Sequence, residues 1–127
     1  MSVSFDPRRG LVVVRAELEG PSGRAILRLA LDTGATSTVV NAALLVSIGY
    51  DPALAPERVQ ITTGSGVEFA PRLTVSRVVA LGQAREGFPI LCHTLPPSSN
   101  VDGLLGLDFF RQRTLTIDFR VGQVELS

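Results

Sequence analysis

Tryptophan is absent from this chain, tyrosine and cysteine each occur once, and the 12 basic and 12 acidic side chains cancel to a net charge of zero. A nucleic-acid-binding barrel needs a basic face set with stacking aromatics, and a balanced chain with one Tyr, six Phe and no Trp has neither. The same balance argues against an anionic membrane surface. The longest apolar runs, such as Leu11 to Val14 and Val78 to Leu81, fall far short of a bilayer span. Met1 is followed by Ser, Val, Ser, Phe, Asp, Pro, Arg and Arg, without the apolar stretch of an export signal, so a cytoplasmic location is expected. With a single cysteine, Cys92, an internal disulfide is excluded and a reducing compartment fits. Its neighbour His93 invites a metal reading, but adjacent side chains of a strand point to opposite faces and cannot share one ion. A buried Cys beside a partly exposed His is the expectation, with no metal and no cofactor.

What the chain does contain is turn-punctuated alternation. Its 127 residues, 45% of them hydrophobic, suffice for one compact domain over 1–127 with a real core. Val12, Val14, Ala16 and Leu18 alternate with Val13, Arg15, Glu17 and Glu19, which predicts a half-buried strand. The Gly20-Pro21-Ser22-Gly23 turn then leads into a second strand through Ala25, Leu27, Leu29 and Leu31. A short helix is predicted over Ala42 to Ile48, capped by Asn41 and stopped by Gly49. Arg58 to Thr63 and Val67 to Val75 read as two strands of a hairpin turning at Gly64-Ser65-Gly66. Further strands are expected over Val78 to Leu81 and Phe88 to Cys92, then a loop over Leu95 to Asn100 and one or two helical turns over Gly106 to Gln112. Leu115, Ile117 and Phe119 alternate with polar residues before Arg120-Val121-Gly122 closes a last hairpin. Many short strands, glycine-rich turns and one or two short helices predict an all-β fold, a small closed barrel.

Within that pattern, Leu29 to Asn41 (LALDTGATSTVVN) places one carboxylate, Asp32, on a tight Thr-Gly turn directly after an apolar strand. Activating water for attack on an amide with carboxylates takes two of them sharing a proton, one as base and one as acid. No second Asp-Thr-Gly or Asp-Ser-Gly occurs, and Val101-Asp102-Gly103 lacks the hydroxyl residue. If Asp32 is catalytic, its partner comes from a second copy of the chain.

Three features in order resemble the retropepsin-like aspartic proteases, the single-lobe relatives of pepsin that include retroviral proteases and many bacterial domains. Leu31-Asp32-Thr33-Gly34-Ala35 is similar to the catalytic turn, Thr63-Gly64-Ser65-Gly66 sits where a flap tip belongs, and Gly103-Leu104-Leu105-Gly106 resembles the apolar-apolar-Gly element that braces the turn. The stretch GLLGLDFFRQRTLTIDF is especially like the bacterial members. The resemblance implies a closed barrel of the retropepsin type and an aspartic endopeptidase acting on a peptide or protein substrate. It further implies a homodimer with its cleft on the two-fold axis, where the two Asp32 carboxylates hold one water. By the same resemblance, Thr33 hydrogen-bonds across the axis, Gly34 lets backbone approach closely, Ala35 floors the site, and Leu104, Leu105 and Gly106 give structural support. An acid-leaning activity profile follows from a shared-proton pair.

Two departures stand out. Thr36 and Ser37 follow Ala35, where retroviral enzymes carry acids that contact substrate backbone and a partner arginine, and the flap has no aromatic. The alternative function is therefore a weak or inactive peptide-binding and dimerisation module with the same fold. Asp102 is expected to be a turn residue, Asp108 a helix N-terminal acid and Asp118 a solvated strand residue. Val39, Ile61, Leu81 and Leu105 are candidates for either pocket or core. The terminal segments Val3 to Phe5 and Val124 to Leu126 are expected to interleave between subunits and cover sheet edges.

Overall fold

A computed structural model describes the backbone of residues 1–127 and every side chain except that of Thr63, so this part of the expected flap lies outside the described residues. In chain order the strands are β1 (Ser2–Ser4), β2 (Val13–Gly20), β3 (Gly23–Leu31), β4 (Val39–Val40), β5 (Glu57–Thr63), β6 (Gly66–Ala80), β7 (Gln83–Cys92), β8 (Gly103–Leu105), β9 (Leu115–Asp118) and β10 (Gln123–Leu126). Two short helices interrupt them, α1 (Ala42–Ser47) and α2 (Leu107–Phe110), with single 3-10 turns at Pro52–Leu54 and Pro97–Ser99. None of the helices is long and apolar enough to cross a membrane among the described residues.

Hydrogen bonding runs β2-β3-β8-β4-β7-β6, and a further β2–β6 pairing returns to the start, so six strands close a barrel. Closure removes the free edges that a six-stranded open sheet would expose. β5 pairs only with β6, at the end of that strand that extends beyond the ring. The all-β barrel expected from alternation is thus the observed architecture. Its reason is visible in β2, where Val14, Ala16 and Leu18 are buried and Arg15 between them is exposed. These side chains meet Leu27, Leu29, Val75, Val78, Ile90 and Leu105 in one core. Phe109 from α2 is fully buried in the same core, in edge-to-face contact with Phe88 and Phe110.

Three expectations are corrected. The predicted break between Val75 and Val78 does not exist, because β6 runs unbroken through fifteen residues. At Ser76 its amide donates to the Tyr50 hydroxyl at 2.8 Å, which satisfies the backbone where the β7 ladder skips a pair. Asn41 precedes α1 but makes no side-chain cap; its Oδ1 accepts the Leu95 amide at 3.0 Å and ties the helix start to the segment after β7. The terminal strands, expected to interleave between subunits, pair with each other inside one chain. β10 lies between β1 and β9 with both edges used, and Val124 and Leu126 are buried in the main core.

Candidate active site

Asp32 follows the last residue of β3, where the chain leaves the barrel and turns. Its amide donates to the Leu105 carbonyl at 3.0 Å, continuing the parallel ladder in which Leu29, Ala30 and Leu31 face Gly103, Leu104 and Leu105. The Gly34 amide donates to Asp32 Oδ1 at 2.9 Å and the Ala35 amide to the Asp32 carbonyl at 3.2 Å. This Asx-type turn fixes the carboxylate from within its own loop. Asp32 is half-buried, while Thr33 and Gly34 are exposed. A Cβ at Gly34 would come within 3.1 Å of Asp32 Oδ1, so the missing side chain leaves the carboxylate its space.

β8 supports both ends of this loop. It pairs in parallel with β3 and antiparallel with β4, so Gly103 faces Leu29 on one side and Val40 on the other. Gly103 and Gly106 are required by close approach. A Cβ on Gly103 would run into the Val39 carbonyl, and one on Gly106 would lie 2.7 Å from the Ser37 carbonyl carbon and oxygen. The Leu107 amide donates to the Ala35 carbonyl at 2.8 Å, which binds α2 to the floor of the turn. Leu105 is fully buried, and Leu104 reaches the cleft.

Sequence reasoning missed two residues of this support. Thr38 has a fully buried polar side chain; its Oγ1 donates to Asp108 Oδ1 at 2.7 Å and accepts the Gly106 amide at 3.1 Å. The Thr38 amide also lies 3.0 Å from both Asp108 oxygens. Asp108 is therefore more than the helix N-terminal acid expected of it, because its carboxylate is spent on Thr38 across 70 residues of sequence. The available signal was a hydroxyl residue heading the apolar pair Val39-Val40, where a buried Thr demands a partner. Asp102 extends the β3–β8 contact, its Oδ2 accepting the Arg28 amide at 2.8 Å. Asp118 is held by Arg120, whose guanidinium and amide hydrogen-bond its carboxylate and keep its pKa below the usual aspartate range.

Beside Asp32 opens a cleft of about 1020 Å³, bounded by Gly34 and Ala35 below and by the β5–β6 hairpin above. Gly64 and Ser65 at the hairpin tip line the same cleft as Asp32, so the two motifs far apart in sequence meet in space. Gly66, with φ +126°, sits where only glycine is comfortable as the chain enters β6. Val39, Ile61, Leu91 and Leu104 give the cleft apolar walls, whereas Leu81 and Leu105 belong to the core. Cys92 is buried among apolar side chains, which pushes its thiol pKa up, and it does not line the cleft.

The chain is similar to known proteins at two levels. The fold is similar to that of a crystal structure of a retropepsin-like aspartic protease from Rickettsia conorii, with a TM-score of 0.72 at 18% identity over 99% of this chain and 88% of that one. No curated protein sequence matches the chain. Residues 21–112 match the model of the gag-polyprotein putative aspartyl protease family, a span that includes the Asp32 turn, the hairpin and β8. With that match covering most of its length, the chain belongs to the gag-polyprotein aspartyl protease family, built on the retropepsin-like fold.

Proposed function

We propose that residues 1–127 form one aspartic endopeptidase domain that works as a homodimer, with Asp32 of each subunit contributing to one shared site. The observation that carries this reading is the placement of Asp32, pinned by the Gly34 amide at the mouth of a cleft roofed by a hairpin. Family membership supplies the chemistry. One turn of this kind per chain supplies one carboxylate, and a hydrolytic pair needs two. Thr33 is exposed in the single chain and is free to meet its symmetry mate, a contact that would hold the two turns together.

In the assembled site one Asp32 carboxylate takes a proton from the bound water as it attacks the scissile carbonyl carbon, and the protonated partner gives its proton to the carbonyl oxygen. The tetrahedral intermediate collapses, the C–N bond breaks, and the proton taken from water passes to the leaving nitrogen. No covalent bond to the enzyme forms. An extended peptide lies between the turn and the hairpin, pairing with β-like backbone and placing alternate side chains against Val39, Ile61, Leu91 and Leu104.

The test is digestion of a diverse peptide library by wild type and by Asp32→Asn, read by mass spectrometry from acid to alkaline pH. Wild type should cleave best on the acid side and the variant should not cleave. Cleavage by both would remove Asp32 from the mechanism, and binding without cleavage by either would favour the peptide-binding module.

A further inference from the structure

The cleft has an electrostatic character that its apolar walls conceal. Its ionisable lining residues among those described are Asp32, Glu68 and His93, and none of the chain's 12 arginines lines it. Glu68 stands on β6 directly opposite Ile61 of β5, and cross-strand partners share a face of the hairpin. Ile61 and Ala70 on that face pack against Val39 and Leu91 at the cleft, whereas Val67 and Phe69, on the alternate positions, are exposed on the outer face. Glu68 therefore faces inward, over the groove that a substrate would occupy.

The His93 imidazole is the one ion-pair partner given to Glu68 by the described structure. Its Nδ1 lies 3.9 Å from Glu68 Oε2, beyond hydrogen-bonding distance, and the Glu68 side chain remains 51% exposed. Both carboxylate oxygens thus retain capacity to accept hydrogen bonds in a cleft whose other lining side chains, Asp32 and His93 apart, are uncharged. A planar guanidinium or an ammonium group matches that carboxylate in charge and donor geometry.

Resting on the reading of the cleft as a peptide site, we propose that Glu68 forms an anionic subsite on the inner face of the flap hairpin that selects an arginine or lysine side chain at one position of an otherwise apolar, extended peptide. Side chains of an extended peptide alternate in direction, so the carboxylate meets one position while its neighbours meet Ile61, Leu91 or Leu104. A half-exposed carboxylate gives a modest preference, on the order of fivefold, as expected for ion pairs near a surface.

The experiment measures binding, so it does not depend on catalysis. Asp32→Asn protein is titrated, at neutral pH and low salt, against fluorescent apolar octapeptides carrying one arginine walked through every position, each paired with its uncharged citrulline counterpart. A preference for arginine of about fivefold is expected at one position, or at two related by the dimer axis. Adding Glu68→Gln should abolish it, and adding Glu68→Lys should turn it into a preference for glutamate at the same position, an inversion that misfolding cannot produce. An arginine preference that survives Glu68→Gln, an equal preference at all positions, or no binding of any peptide would overturn the subsite. Cleavage by wild type without Glu68-dependent selectivity would leave the protease reading intact and sink only this inference. Glu68-dependent selectivity without cleavage would do the reverse.

Discussion

Thr38 and Asp108 brace the loop that carries Asp32 without lining the cleft themselves. Together they hold the far end of the 32–38 loop against the Gly106 amide, with the Thr38 hydroxyl acting as donor and acceptor at once. Thr38→Val keeps the shape but strips the Gly106 amide and the Asp108 carboxylate of a partner. Each such buried loss costs about 1–3 kcal/mol. Asp108→Ala should cost at least as much, since the Thr38 amide and hydroxyl both lose their acceptor. We expect lower melting temperatures for both variants and a fall in kcat larger than any change in KM, because the displaced loop carries Asp32; unchanged stability and kcat would show that the brace does not position the turn. Local residues were legible in the sequence for a physical reason. The Asp32-Thr33-Gly34 turn is made by contacts two residues apart, such as Gly34 N to Asp32 Oδ1. The Thr38–Asp108 bond joins residues 70 apart in sequence and leaves no trace in local spacing.

Among the elements, β8 and β10 do the most with the fewest residues. β8 is three residues long, yet it is sandwiched between β3 and β4 and so fixes where the turn begins and where it ends. The Gly103-Leu104-Leu105-Gly106 element could be recognised from sequence, but the reason for its glycines could not. Neither has positive φ; each admits the backbone of another segment, at Val39 and at Ser37. Periodicity also misplaced the end of β6, since Ser76 and Arg77 look like a break until Tyr50 is seen to satisfy the Ser76 amide. β10 was read as a strand correctly and given the wrong partner. Alternation shows that Val124 and Leu126 need burial but not which chain buries them. Because they pack in the core of their own subunit, deleting 123–127 should unfold the protein. Circular dichroism would show loss of the cooperative transition, whereas a folded monomer after deletion would restore the terminal strands to the dimer interface.

At the scale of the molecule, a closed six-stranded barrel carries the Asp32 turn and a hairpin that extends beyond the ring, and the two line one cleft. The two jobs place opposite demands on the chain. Asp32 sits where parallel pairing with β8 holds the backbone, and the hairpin sits where β6 has left β7 and keeps only β5 as a neighbour. On the proposed function, an extended peptide would thread between the braced turn and the singly paired hairpin. Under the proposed mechanism one chain supplies one carboxylate of the pair, and a symmetric dimer would supply the second. Subunit mixing tests that claim most directly. Wild type is combined with increasing fractions of Asp32→Asn protein at constant total concentration, allowed to exchange subunits, and assayed on a peptide that the wild type cleaves. If each site needs Asp32 from both subunits, activity falls as the square of the wild-type fraction, leaving about one quarter at equal mixing. A linear fall to about one half would mean that each chain carries a complete site, and the shared-carboxylate account would be wrong.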